Sequence, residues 1–311
     1  MEPEAPRNPA CDSTAAKGGA SAPFEWIATD RPSLPVLLAA PHGGREYPAR
    51  LLDNMRDPES RLRLEDRHVD TLAREVARLS GAALLCAHAP RAMIDLNRAP
   101  DDVDWGMIAG SRAGRTRHSL ANRRARSGLG LVPRRLPGAG ELWRRPLDRT
   151  ELDERIETIH RPYHQALGTA LEELRDEWGA ALLVDLHSMP PLRRRHPGEV
   201  TADFVIGDRF GASCDNRLVA LSLNHFGEAC RPVAHNRPYS GGYVLDRHGA
   251  PRRGIHALQL EVCRSTYLDS RLENPCARLP AVARLLADLV ARLAAEVAEM
   301  GRAGRQPLAA E

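Results

Sequence analysis

An α/β fold, with a mostly parallel or mixed central sheet and helices on both faces, is predicted by three features of this 311-residue chain. Short apolar runs such as Leu34–Ala40, Ala82–Ala87 and Ala180–Leu186 alternate with longer segments of helical period. The runs are apolar on consecutive residues, as strands covered on both faces are. Polar residues, two histidines among them, stand where these runs end, the place where ligands gather in open α/β sheets.

The elements follow in order. Residues 1–22 are rich in Ala, Pro, Gly and Ser without period and read as a disordered tail. A single catalytic α/β domain over 23–302 comes next, then a short C-terminal tail at 303–311. Leu34–Ala40 is a strand ending at Pro41-His42-Gly43-Gly44. From Leu64 the pattern turns helical, with Val69, Leu72, Val76 and Leu79 on one stripe and Gly81 as the stop. Ala82–Ala87 and Ala92–Leu96 read as two further strands. Between about 100 and 148 the chain is polar, with ten arginines from Arg112 to Arg145 against one acid, Glu141. That stretch reads as a solvated insertion or a cover over a site. Thr150 opens a long helix whose first turn carries Glu151 and Asp153, favourable at the positive dipole end. Pro162 kinks or divides it. Ala180–Leu186 is a buried strand ending at His187. Strands at Phe204–Ile206, Pro232–Ala234 and His256–Val262, a helix near Ser213–Phe226 and an amphipathic closing helix at Pro280–Met300 complete the chain.

Composition bounds the function. At 42% hydrophobic and 27% charged residues the chain is an ordinary globular one, and no apolar run approaches the roughly 18 residues of a membrane helix. The N-terminus lacks a basic region followed by an apolar one, so no secretory signal is expected. The six cysteines (11, 86, 214, 230, 263 and 276) include no C-x-x-C pair and read as reduced thiols, which places the protein in the cytoplasm. Arginine nearly replaces lysine, Lys17 being the one lysine among 44 basic residues, yet the net charge is only +3. That balance argues against a nucleic-acid partner, and no membrane partner is expected either.

Four strand ends carry the chemistry: Pro41-His42-Gly43-Gly44, Asp95-Leu96-Asn97-Arg98, Asp185-Leu186-His187-Ser188 and Gln259-Leu260-Glu261-Val262. Two histidines and an acid on separate strands would converge on one divalent metal, for which neutral imidazoles plus a carboxylate suit zinc. A further, unligated glutamate would then take a proton from a water. Taken singly each has a simpler use: a hydrogen-bonded structural histidine, or a buried aspartate satisfied by backbone. Their joint occurrence at the ends of one sheet points to a site.

Seven segments occur in an order that resembles the N-formylglutamate amidohydrolase family. They are Pro41-His42-Gly43-Gly44, Asp66-x-x-Val69-Asp70, Ile94-Asp95-Leu96-Asn97-Arg98, Pro162-Tyr163-His164, Asp185-Leu186-His187-Ser188, Asn236-x-Pro238-Tyr239-x-Gly241-Gly242-Tyr243 and Ala257-Leu258-Gln259-Leu260-Glu261. Ser127-Gly128-Leu129-Gly130 within the long loop belongs with them, and the resemblance runs from about residue 34 to 270.

That family is similar in fold to the zinc carboxypeptidases. On this resemblance His187 is the metal-binding histidine at the end of a central strand, Asn97-Arg98 the pair that grips a substrate carboxylate, and Glu261 the general base. The zinc carboxypeptidases carry His-x-x-Glu, whereas Arg45 stands three residues after His42. The third ligand must then come from elsewhere. Asp66 is expected to supply it, with Asp70 one turn on along a shared helix face as its support. Glu46 is the nearer alternative, and Asp66 at a helix start also suits the dipole. Asp185 is expected behind His187. His160 and His164 stand at the spacing of a helical metal pair, but no Glu follows His160 and Pro162 intervenes, so the metalloprotease motif is absent. Tyr163-His164 is instead expected to shape the pocket.

The activity implied is metal-dependent cleavage of N-formyl-L-glutamate to formate and L-glutamate, with histidine degradation as its setting. The metal is expected to be Zn2+, although manganese, iron or cobalt accept the same ligands. The dianionic substrate calls for arginines: Arg98 first, beside Asn97, with Arg247 and Arg253 for the second carboxylate. Gly241 and Gly242 would bring Tyr243 near the substrate. Two other readings stay open. One is a same-fold metallohydrolase acting on another N-acyl amino acid or peptide. The other is a non-enzymatic binding protein using the Arg-rich loop.

Overall fold

The computed structural model describes residues 22–28, 33–110, 123–138, 140–194 and 196–305. At its centre lie β1 (Phe24–Ile27), β2 (Val36–Ala40), β3 (Ala83–Ala87), β4 (Ala181–Met189), β5 (Phe204–Gly207), β6 (Val233–His235) and β7 (Ile255–Cys263). They form one sheet in the order β1-β3-β2-β4-β7-β5-β6. Strands β3, β2, β4 and β7 are parallel, while β1 and β5 join them antiparallel at either side and β6 follows β5 in parallel. The sheet is therefore mixed around a parallel centre.

Helices α1 (Val69–Ser80), α2 (Arg161–Trp178), α3 (Asn216–Glu228), α4 (Tyr243–His248) and α5 (Leu279–Arg305) flank it. The pleat divides each central strand between two cores. Even-numbered residues such as Leu38, Leu84, Val184, Leu186 and Leu258 pack with α1, α3 and α5. Odd-numbered ones such as Leu37, Leu85, Leu183 and Ala257 pack with α2 and α4. Truncating a fully buried leucine of this kind, Leu183→Ala for example, costs about 2–5 kcal/mol.

The same alternation aims the polar residues. The register of β4 on β7 pairs Asp185 with Gln259 and His187 with Glu261. All four are odd-numbered and share one face, so the apolar row of that face becomes a polar cluster at the carboxyl end of the sheet. His42 follows β2 directly. Close approach requires the second of the two glycines after it: a Cβ on Gly44 would lie 2.2 Å from the carbonyl oxygen of Ala89, while one on Gly43 would press on Asp70 Cβ at 3.1 Å.

Several elements differ from expectation. Ala92–Leu96 is not a strand but a sequence of buried turns, in which Asp95 N donates to Leu131 O at 2.7 Å. Its apolar residues are buried without a ladder. The helix expected from Leu64 begins only at Val69, because His68 adopts a left-handed conformation (φ 54°). Asp66 thus lies ahead of α1, and Asp66 and Asp70 share no helix face. Gly81 does end the helix, at φ 77°. Pro162 stands at the start of α2, preceded by a π turn at Ile156–His160, where the ladder is re-registered around the missing N–H. Residues 111–122 and 139 of the expected Arg-rich insertion lie outside the described residues, and the described part of 100–148 is less solvated than its arginines imply. Val103, Met107, Ile108, Leu131, Leu142, Trp143 and Leu147 join the core on the α2 side. The closing helix continues to Arg305. Strand β1, at the sheet edge, was not expected. Of the tails expected at 1–22 and 303–311, residues 1–21 and 306–311 lie outside the described residues, and 303–305 belong to α5. Among the described residues, no helix is long and apolar enough to cross a membrane.

Candidate active site

Three elements deliver the central groups. His42 leaves the end of β2, His187 stands near the end of β4, and Asp66 lies in the connection before α1. One ligand atom from each falls within 4.8 Å of the others, and all three side chains are buried. Asp66 Oδ2 is 3.0 Å from His187 Nδ1 and 3.6 Å from His42 Nδ1. Asp66 is fixed by the Ser188 amide, which donates to Oδ2 at 3.1 Å. Arg264 holds the neighbouring backbone by donating to the carbonyl of Glu65, with its Nε on Ser188 Oγ at 3.2 Å.

The far nitrogen of each ring meets its own carboxylate. His42 Nε2 is 2.7 Å from Asp95 Oδ1, and His187 Nε2 is 2.9 Å from Asp185 Oδ2. Asp95 in turn accepts from Arg91 Nε and from the Asn97 amide, each at 2.9 Å. His42 Nδ1 is buried with no hydrogen-bond partner among the described residues. Two imidazoles, each backed by a carboxylate and each turning Nδ1 towards a shared aspartate, make a donor set of the kind that suits a divalent metal. The residues present therefore fit such an ion.

Asp66 and Asp95 are held ionised, as a cation requires, whereas His187 has to release a proton to bind one. Burial alone would raise Asp66, but hydrogen bonds from His187 and His42 hold its carboxyl well below the usual range. Burial likewise opposes ionisation of Asp95, and Arg91 and His42 outweigh it. Burial works against charge on His187, yet Asp185 and Asp66 hold its imidazole well above the ordinary range. Glu261, on β7, is pushed up to about 7, first by burial and further by Asp66 and Asp185, with His187 opposing. Gln259 Nε2 donates to Glu261 Oε1 at 2.8 Å.

A cavity of about 540 Å³ opens over this cluster, lined by His42, Asp66, His187, Gln259, Glu261 and Arg98 among others. A second cavity of about 690 Å³ shares Asn97, Arg98, Arg124 and Ser240–Gly242 with it and adds Tyr243 and Arg209. Of the expected residues, His42, Asp66, Asn97, Arg98, His187 and Glu261 thus come together, with Asp185 behind His187 and Tyr243 next door. Asp70 does not join them: it pairs with Arg45 at 2.6 Å. Glu46 is 3.7 Å from His88 Nδ1, beside a different cavity. Arg253 is on the surface, paired with Glu172 at 2.7 Å, and the exposed Arg247 lines neither cavity.

Sequence reasoning missed Arg91 and Arg264, whose Nη atoms lie 4.0 and 3.6 Å from Asp66 Oδ1. The four-residue spacing of Arg91 and Asp95 was a usable signal; Arg264 had none beyond its place three residues after Glu261. Asn97 also differs in use. Its Oδ1 accepts from the Val244 amide at 2.9 Å and its Nδ2 donates to Gln259 at 3.4 Å, so it braces the site from within.

The sequence matches a family model, that of N-formylglutamate amidohydrolase, over residues 34–268. The chain belongs to the N-formylglutamate amidohydrolase family. An N-formylglutamate deformylase of Pseudomonas putida is 34% identical over 239 residues, 76% of this chain and 82% of that protein. One of Pseudomonas aeruginosa is 29% identical over 256 residues, 79% of this chain and 87% of that protein. The crystal structure of N-formylglutamate amidohydrolase from Ralstonia eutropha JMP134 superposes with a TM-score of 0.78 at 33% identity, covering 91% of this chain and all of that one. A gene product of Agrobacterium tumefaciens shares the fold at 19% identity, with a TM-score of 0.63. All seven quoted segments lie within the part of the chain that matches the amidohydrolase family.

Proposed function

We propose that this chain hydrolyses N-formyl-L-glutamate to formate and L-glutamate, using a divalent metal, zinc first, held by His42, Asp66 and His187. The names of its relatives support the substrate. The observation that carries the metal is the convergence of both Nδ1 atoms on Asp66, each ring backed by its own carboxylate. When bound, the cation would polarise the formyl oxygen and bring the pKa of a water towards about 7.

The chain's own groups do the rest. Glu261 takes the proton of the attacking water, and its carboxylate is oriented for this by Gln259. The water oxygen joins the formyl carbon, the C–N bond breaks, and Glu261 returns the proton to the departing nitrogen of glutamate. Arg98 anchors one substrate carboxylate. Its Nε and one Nη1 hydrogen are engaged by the carbonyls of Leu129 (3.0 Å) and Asn97 (2.7 Å), which leaves the Nη2 hydrogens and the second on Nη1 for a carboxylate. The second carboxylate falls to Arg124, which lines both cavities, and not to Arg247 or Arg253.

The adjoining cavity favours one other reading, a bulkier acylated amino acid as substrate. Initial rates on N-formyl-L-glutamate, N-acetyl-L-glutamate and N-formyl-L-leucine separate the two. The proposal expects the first to be cleaved with the highest kcat/KM. A preference for the acetyl or leucine compound would overturn it.

A further inference from the structure

Three histidines that the reaction does not use lie behind the Leu96–Arg98 segment, His160 and His164 bonded to it and His248 bonded to His164. His160 ends the π turn and His164 stands one turn on, in α2. His164 Nε2 is 2.9 Å from the carbonyl oxygen of Leu96, and His160 Nε2 is 2.9 Å from that of Arg98. A carbonyl only accepts, so both Nε2 atoms carry the hydrogen. In a neutral ring His164 Nδ1 is then an acceptor, and His248 Nε2 donates to it at 3.0 Å, the two rings stacked 5.3 Å apart.

The carbonyl between them, that of Asn97, accepts from Arg98 Nη1 at 2.7 Å. Three successive carbonyls of a stretch without helix or strand are thus each held by a side chain, where no ladder holds them. The same histidines back Tyr243, their ring centroids 5.6 Å (His160) and 5.0 Å (His164) from its own. The Tyr243 segment is in turn tied to Asn97 through the Val244 amide.

We propose that His160 and His164, with His248 behind His164, are positioning residues that fix the Leu96–Arg98 backbone and the Tyr243 ring, so that Arg98 meets a carboxylate of the substrate. This rests on the reading of Arg98 as the carboxylate anchor. It also gives the pair at four-residue spacing a use other than metal binding, since both Nε2 atoms are engaged by carbonyls.

The test is steady-state kinetics on N-formyl-L-glutamate with the zinc-loaded full chain, comparing wild type, His160→Leu, His160→Gln and Arg98→Ala. Loss of one buried hydrogen bond from a positioning residue should raise KM by about tenfold in His160→Leu while kcat stays within about threefold. His160→Gln, whose amide still reaches the Arg98 carbonyl, should restore most of the KM. A merely structural loss would lower the active fraction, hence apparent kcat, and leave KM in place. That result in His160→Leu, with KM raised in Arg98→Ala, overturns the positioning role and leaves the anchor standing. An unchanged KM in Arg98→Ala overturns both. Should His160→Leu not fold, His160→Asn, whose amide falls short of the carbonyl, is read by the same criteria.

Discussion

His42 Nε2 and Asp95 Oδ1 stand 2.7 Å apart, the shortest contact around either imidazole of the site. Because Asp95 also accepts from the Asn97 amide, one carboxylate sets both the ring that faces the metal position and the backbone that carries Arg98. Removing its charge should loosen the metal. Asp95→Asn is expected to weaken zinc binding by about 10–100-fold. Competition against a chromophoric chelator measures this, and wild-type affinity would show that Asp95 does not tune the ligand.

In the proposed reaction Glu261 moves protons and binds no metal. Glu261→Gln keeps the shape and the Gln259 contact region but cannot accept a proton. It should bind one zinc per chain like wild type and lose about a hundred- to ten-thousandfold in kcat. Metal analysis together with formate release decides the point; activity near that of wild type would remove Glu261 as the base.

The acid side of the pH profile follows from the same carboxyl. A base must be deprotonated, so kcat/KM falls as the pH drops through the Glu261 pKa. Burial first, then Asp66 and Asp185, push that group up to about 7. A cation at His42, Asp66 and His187 lowers it again, since nearby positive charge favours the carboxylate. The acid limb of the zinc enzyme should therefore lie below about 7, and a limb above that value would contradict the assignment.

Stability should fall on acidification through the histidine pair. Burial depresses His248 to about 4 and His164 to about 2, against an ordinary value of 6.5. A proton on His160 or His248 would act in the same direction on His164, and Arg247 does so on both rings. Below 6.5 the unfolded chain takes up protons that the folded rings refuse, so stability is lost from 6.5 downwards and is flat above it. Tm measured at about pH 7 and about pH 5 should drop more in wild type than in His248→Gln. Equal drops would mean that these rings are not held neutral.

Much of this is legible in the sequence. Consecutive apolar residues mark strands covered on both faces, so β2, β4 and β7 and their endings at His42, His187 and Glu261 stand out. The resemblance identified Asn97 and Arg98, and chemistry asked for a third ligand, for which Asp66 is well placed. The failures have physical causes. Ala92–Leu96 is apolar because it is buried, and burial alone does not distinguish a turn held by side chains from a strand. The left-handed His68 separates Asp66 from α1, and no residue type announces that. Arg247 and Arg253 were chosen for their place in the chain, which in a protein this rich in arginine says little about the fold. Arg45, three residues after His42, pairs with Asp70 and His68.

The measurement that bears most directly on the metal site is formate release from N-formyl-L-glutamate by wild type and Asp66→Asn, each stripped with a chelator and titrated with zinc. Wild type should lose activity on stripping and regain it at one zinc per chain, while Asp66→Asn should require far more zinc and recover little. Full activity in stripped wild type, or wild-type recovery in Asp66→Asn, would contradict a catalytic metal held by His42, Asp66 and His187.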